Sequence, residues 1–184
     1  MPSWSLAIAC AVVVLVPPPA RAQDVPSHRT AVLDLTMARH AVNGGFIDYR
    51  NGAMLDVLAA GTVRSSPRAA FIAAVGAGVV VGGFSDRCLS RPDGGCAPLG
   101  NFVVTNVLAG ADLSLGQSSM RVLLGPALYN GAGASSLGAQ VRLDLISPPL
   151  VHVGIGPMLR ATVLPSHGGD LLVAWAVGGS LVIR

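Results

Sequence analysis

The feature that most constrains this chain is that its apolar residues never run far without a glycine or a proline. Of its 184 residues 52% are hydrophobic and the mean hydropathy is +0.62, yet 23 Gly and 13 Pro interrupt the sequence. Beyond the N-terminal segment, the longest helical candidate is the run at 69–84, only 16 residues long and weakened by four glycines. A helix that spans a bilayer needs about 20 apolar residues. If a membrane is involved, a closed β-barrel is the other structure that satisfies every backbone group in lipid.

Alternation of apolar with polar or small residues is the signal that predicts strands here. The clearest case is 137–146, where Val141 and Leu143 alternate with Gln140, Arg142 and Asp144. Similar patterns predict eight strands, each about the 9–11 residues that a tilted transmembrane strand needs. These strands lie near residues 31–41, 53–64, 69–82, 102–115, 120–130, 137–146, 150–164 and 171–183.

The N-terminus has the layout of a cleaved signal peptide. An apolar run at 6–16 is followed by three prolines and by Ala20-Arg21-Ala22, which is a small-residue cleavage site. We therefore divide the chain into a signal peptide at 1–22, a short lead at 23–30 and one barrel domain at 31–184.

The predicted connections alternate in length along the chain. Longer or Gly- and Asn-rich connections at 43–52, 83–101, 130–136 and 165–170 alternate with short turns at 65–68, 116–119 and 147–149. This alternation is typical of an up-and-down barrel with long outer loops and short periplasmic turns. An even number of strands also places both chain ends on the periplasmic side.

Over essentially the whole mature chain, this pattern resembles the small bacterial outer-membrane barrels of the OmpA/OmpX type. The resemblance implies an all-β, up-and-down antiparallel transmembrane β-barrel of about eight strands, located in the outer membrane. Its partners would be the lipid bilayer and the outer-membrane assembly machinery. Aromatic residues are only 4% of the chain and predict a thin interfacial girdle. The girdle residues are Phe46, Tyr49, Phe71, Phe84, Phe102, Tyr129 and Trp175.

Charged and polar residues fall on the predicted inward face of these strands. The inward set comprises Asp34, Asp56, Arg64, Asp112, Arg121, Gln140, Arg142, Asp144, His152 and Arg160. An eight-stranded barrel has an interior that side chains can just fill, and charges inside it must be paired or hydrated. We therefore expect an Arg/Asp network that closes the lumen, and this structural interpretation is favoured over a narrow pore lined by the same groups.

Cys88 and Cys96 are the two cysteines of the mature chain, and they flank a Pro-Asp-Gly-Gly turn sequence. An exported chain meets an oxidising compartment. We predict that these cysteines form a disulfide across the longest outer loop.

No residue pattern predicts catalysis or binding of a cofactor, a metal or nucleic acid. Ser166, His167 and Asp170 are the residue types of a hydrolase triad, but they lie in one Gly-rich loop, and a triad is defined by its geometry. No Cys/His spacing indicates zinc, and the net charge of +3 is too weak and too scattered for nucleic acid. We therefore expect no enzyme activity and no cofactor.

Three classes of function stay open from the sequence. The first is a structural or surface-interaction barrel in the outer membrane, and the second is a narrow solute channel. The third is a soluble periplasmic barrel that binds apolar ligands as lipocalins do, which would need the opposite assignment of the two strand faces.

Overall fold

Ten strands make up the regular structure of the part of the chain that the computed structural model describes. This part comprises residues 29–42, 52–64, 66, 68–82, 88–98, 101–131, 133–148, 152–165 and 171–183. The predicted signal peptide lies outside it. The strands are β1 (Arg29–Val42), β2 (Gly52–Arg64), β3 (Ala69–Val81), β4 (Cys88–Ser90), β5 (Cys96–Pro98), β6 (Phe102–Leu115), β7 (Ser118–Gly131), β8 (Ala134–Ile146), β9 (Val153–Pro165) and β10 (Leu171–Ile183).

Eight of the strands close into a barrel, in the order β1-β10-β9-β8-β7-β6-β3-β2. Each barrel strand pairs antiparallel with its neighbours, and β1 closes the ring by pairing with β10, for example Leu33 with Ile183. The remaining two strands, β4 and β5, form a separate hairpin. The prediction of an all-β, up-and-down barrel of eight strands is confirmed.

The two ends of the barrel differ in their connections. The terminal end, where β1 begins and β10 ends, also carries the connections β2–β3, β6–β7 and β8–β9. The opposite end, called the loop end below, carries β1–β2, β7–β8, β9–β10 and the segment between β3 and β6 that contains the β4–β5 hairpin.

Three predicted connections differ from the structure. The predicted Gly- and Asn-rich connection at 130–136 is present but shorter, because β7 continues to Gly131 and β8 begins at Ala134. Gly133 turns the chain there with φ of 78°, a conformation that glycine adopts without strain. The predicted loop at 83–101 contains the β4–β5 hairpin, and the predicted short turn at 147–149 is part of a longer connection that ends where β9 begins at Val153.

No helix among the described residues is long and apolar enough to cross a membrane.

Inside the barrel, apolar side chains form layers on both sides of a polar middle. The largest cluster reaches the loop end, with Met54, Val80, Phe102 and Tyr129 among its members. Of the two smaller clusters, one lies towards the terminal end, and the other lies on strands β2, β3, β6 and β7, where Leu58 pairs with Asp34 and Leu123 pairs with Arg142. One contains Val32, Ile146 and Val182, and the other contains Leu58, Ile72, Ala74, Leu108 and Leu123.

Candidate functional site

The polar middle of the lumen is assembled by the two-residue period of the strands. Successive side chains of a strand point to opposite faces, so Arg142 and Asp144 in β8 face inward while Val141 and Leu145 face outward. The same alternation turns Asp34 and Thr36 of β1 inward. These inward groups of β1 and β8 are almost fully buried.

Arg142 is the centre of the ion-pair network. Its Nε donates to both carboxylate oxygens of Asp144, at 3.1 and 3.0 Å. Its Nη2 donates to Asp34 Oδ2 and to Thr36 Oγ1, both at 2.8 Å, and its Nη1 lies 3.4 Å from Asp56 Oδ2. One guanidinium therefore connects carboxylates from β1, β2 and β8.

Two further arginines extend the network on either side. Arg121 Nη1 donates to Asp34 Oδ2 at 3.0 Å and lies 4.0 Å from Asp144 Oδ2. Arg160 Nη1 donates to Asp56 Oδ2 at 3.3 Å, and its Nη2 donates to the hydroxyl of Tyr129 at 3.2 Å. The contact with Tyr129 joins the network to the apolar cluster at the loop end.

Hydroxyl groups complete the coordination of the carboxylates. Thr36 Oγ1 donates to Asp34 Oδ1 at 3.4 Å, and Ser180 Oγ donates to Asp144 Oδ1 at 3.3 Å. The network thus joins three arginines to three aspartates, all at most 1% exposed, so its formal charges cancel. Because desolvation of a charge is costly, such a cluster is stable only when its members stay paired.

The network lies between apolar residues along the barrel axis. In β1, Asp34 and Thr36 stand between Val32 and Ala38, and in β8 Asp144 is followed on the same face by Ile146. The middle of the lumen is therefore filled by an ionic layer that has apolar layers on both sides.

The outward face of the barrel is apolar around its whole circumference. Every barrel strand presents exposed Leu, Val, Ile, Met or Phe side chains, such as Met37 in β1, Phe71 in β3 and Val141 in β8. Among the strand side chains that the structure describes, Arg39 is the one charged residue on this face. A continuous exposed apolar belt of this kind is unusual for a soluble monomer and typical of a barrel in lipid.

The structure places most of the predicted lumen residues on the inward face of the barrel. The structure buries Asp34, Asp56, Arg121, Gln140, Arg142, Asp144 and Arg160 in the lumen. Asp112 is half-buried on the same face of β6, near the terminal end. The side chain of Arg64 lies outside the described part of the chain.

Two predictions about individual side chains are wrong. His152 is an exposed turn residue, because β9 begins only at Val153. Phe102 and Tyr129 are buried in the lumen and not in an interfacial girdle; their rings lie 6.4 Å apart. Of the other predicted girdle residues, Phe71 faces outward and is exposed, Trp175 is half-buried on the outward face of β10, and Phe46, Tyr49 and Phe84 lie outside the described residues.

Sequence reasoning missed Thr36, Tyr129 and Ser180 as members of the network. Each stands on the inward side of its strand, so strict use of the alternation would have found them. Their contacts with Asp34, Arg160 and Asp144 could not be predicted, because they depend on the register between strands.

The predicted disulfide concerns the β4–β5 hairpin. In the backbone register, Cys96 pairs with Ser90 and Cys88 pairs with Pro98, so the two cysteines are diagonal neighbours. Their side chains lie outside the described part, and the disulfide stays a prediction. Among the described residues, no group of three or more His, Cys, Asp or Glu side chains could hold a metal ion.

Closure of the ring, the apolar outer face and the ionic core together define a small eight-stranded transmembrane β-barrel. No family model matches the chain, and no curated protein matches its sequence.

Solved structures with a similar fold include the attachment invasion locus protein Ail of Yersinia pestis. Ail has 14% sequence identity and a TM-score of 0.48, over 85% of this chain and 99% of that chain. The Neisserial surface protein A (NspA) has 12% identity and a TM-score of 0.49, over 85% of this chain and 99% of that chain.

Proposed function

We propose that this chain is an outer-membrane barrel with a structural or surface-interaction role, and that it is neither an enzyme nor an open channel. The observation that carries the proposal is the opposite chemistry of the two barrel faces. Large apolar side chains cover the outside, while three arginines and three aspartates are paired inside.

The polarity of the two barrel faces argues against a soluble, lipocalin-like barrel. A lipocalin-like barrel needs a polar exterior and a greasy cavity, whereas Val141 here is 50% exposed and its neighbour Arg142 is 0% exposed. Exposing the apolar belt to water would be unfavourable by about 25 cal/mol for each square ångström. A lipid bilayer removes this cost, and the export and assembly machineries would deliver the chain to it.

The surface-interaction role is supported by the position of the β4–β5 hairpin. This hairpin belongs to the loop end, opposite the end where β1 begins and β10 ends. With the termini on the periplasmic side, the hairpin and its exposed turn residues Pro92, Asp93 and Gly94 face the cell exterior. The closed lumen leaves such surface segments as the part of the molecule that can meet a partner.

Fractionation of cells that express the full chain tests this proposal. We expect the protein to stay with outer membranes after a carbonate wash and to change its gel mobility when boiled, because the closed barrel resists detergent until it is heated. A soluble periplasmic protein followed in the same fractions is the control. Recovery in the soluble fraction without a mobility shift would overturn the proposal.

A further inference from the structure

Six lumen side chains carry buried hydrogen-bonding atoms without a partner among the described residues, namely Asp56, Asn106, Arg121, Ser136, Gln140 and Thr162. Three of these, Asn106, Gln140 and Thr162, are neutral residues on β6, β8 and β9. Asn106 and Gln140 lack a partner for both atoms of their amide groups, and Thr162 lacks one for its hydroxyl, within the part of the chain that the structure describes. All three residues are at most 3% exposed. Buried polar groups are almost always hydrogen-bonded, to protein or to ordered water.

The strand register brings these three residues together. Gln140 of β8 and Thr162 of β9 are direct Cα partners. Asn106 of β6 pairs with Ala127 of β7, and Gln140 pairs with Gly125 of the same strand. Only the small residues Gly125 and Ala127 therefore separate the two amides on the inward face.

The hydrogen-bonded ladder between β6 and β7 is interrupted beside the same residues. Asn106 pairs with Ala127 and Ala109 pairs with Leu124, while the intervening Val107 and Leu108 have no partner among the described pairs of β6 and β7. Pro126 stands in this interval, and it has no N–H to donate. This interruption lies in the barrel wall beside Asn106 and is an observation independent of the unpaired side chains.

Two glycines of β3 leave space for polar side chains of the neighbouring strands β6 and β2. A Cβ added at Gly76 would lie 2.6 Å from Asn106 Oδ1, and one added at Gly78 would lie 2.8 Å from Asp56 Oδ1. Asp56 Oδ1 also has no partner among the described residues. The side chains of Asn106 and Asp56 thus occupy the space that the two glycines leave open.

We propose that Asn106, Gln140 and Thr162 form an internal hydration site that binds a small cluster of ordered water molecules. Amides and a hydroxyl offer both donors and acceptors, which matches water. An ion is disfavoured, because the three neutral side chains provide no net charge and the neighbouring arginines and aspartates already balance. A buried water needs two to four polar partners, and these residues supply that number. This site goes beyond the proposed function, since it belongs to the lumen whatever surrounds the barrel.

The direct test is the transfer of magnetisation between water and the Ala127 methyl group, measured by NMR on the full mature chain in dodecylphosphocholine micelles. Ala127 is fully buried beside Asn106 and its side chain has no exchangeable proton that could relay the signal, so a cross-peak reports a nearby long-lived water. We expect a cross-peak for Ala127 and none for the methyl groups of Leu164, which belongs to the apolar cluster at the loop end. Absence of the Ala127 cross-peak would overturn the proposal.

A substitution at Gln140 tests whether its amide group binds the water. Gln140→Met removes both amide atoms at similar volume, and we expect at least a twofold loss of the Ala127 cross-peak. Leu123→Met, at an apolar lumen position, is the control and should leave the intensity unchanged. An undiminished cross-peak in folded Gln140→Met would show that the water does not belong to this site and would also overturn the proposal.

Discussion

At the scale of single residues, the position of a charge relative to the barrel wall decides its effect on stability. Arg142 and Val141 are neighbours in β8, but Arg142 contacts three carboxylates while Val141 is exposed on the outer face. The alternation of 137–146 was sufficient to predict this difference. The acceptors of Arg142 on β1 and β2 lie more than 80 residues away in sequence, so the individual ion pairs could not be predicted.

Removal of the central guanidinium should strongly destabilise the barrel. We expect Arg142→Leu to lower the free energy of unfolding by about 3–5 kcal/mol, because it leaves buried carboxylates without their partner. Urea unfolding in lipid vesicles measures the change. Arg39→Leu is the matched control, since it removes an arginine from the outward face and should cause no loss. Equal stability of Arg142→Leu and the original chain would contradict the assigned role of the network.

A cation placed on the outer face should be unfavourable for a different reason. Val141→Arg puts a charge into the apolar belt and should cost about 2–4 kcal/mol near the membrane midplane. Gln117→Arg, in the exposed β6–β7 turn, should change stability by no more than about 0.5 kcal/mol. The same unfolding measurement compares the two variants, and equal effects would show that the outer face does not contact lipid.

At the scale of elements, the sequence predicts the strands well and their ends poorly. The eight predicted strands correspond to the eight barrel strands, because alternation extends over each of them. His152 was misplaced because one apolar residue, Val151, precedes it and extends the pattern beyond the true start of β9. Phe102 and Tyr129 were misassigned because an aromatic ring suits both an interfacial girdle and an apolar lumen layer.

The β6–β7 turn provides a test at this scale. Gly116 has φ of 69°, and nothing lies within 4 Å of the position that a Cβ would occupy. Gly116→Ala should therefore destabilise through backbone strain alone, by about 1–2 kcal/mol. Gly61, on the outward face of β2, also has open space around a Cβ but no positive φ, so Gly61→Ala should be neutral or slightly stabilising. Comparable losses of stability in both variants would show that backbone strain at Gly116 is not the cause.

The β4–β5 hairpin provides a second test, by alkylation of cysteines. We expect Cys88 and Cys96 to be oxidised to a disulfide in the exported protein, with a contribution of about 2–3 kcal/mol to stability. Diagonal strand neighbours have Cα atoms about 7–8 Å apart, slightly more than a disulfide allows, so formation requires a small shift of the hairpin. Mass spectrometry of unfolded, unreduced protein after alkylation decides the question, and two labelled thiols would refute the bond.

At the scale of the whole molecule, closure of the lumen should abolish conduction. Because an ionic layer between apolar layers fills the described part of the lumen, we expect no discrete openings of the purified barrel in planar bilayers. The heat-dependent gel shift of the same preparation confirms that folded protein was added. Stepwise conductance of the unmodified chain would contradict the closed lumen and favour the narrow-channel alternative.

The pairing of β1 with β10 has a consequence for biogenesis. The first barrel strand finds one of its two neighbours only in β10, with Leu33 beside Ile183, so the ring cannot close until β10 has been synthesised. Unpaired strand edges are not tolerated in the hydrocarbon region. We therefore expect the barrel to enter a membrane only after synthesis of β10, and the edges of β1 and β10 to need protection from aggregation until they meet.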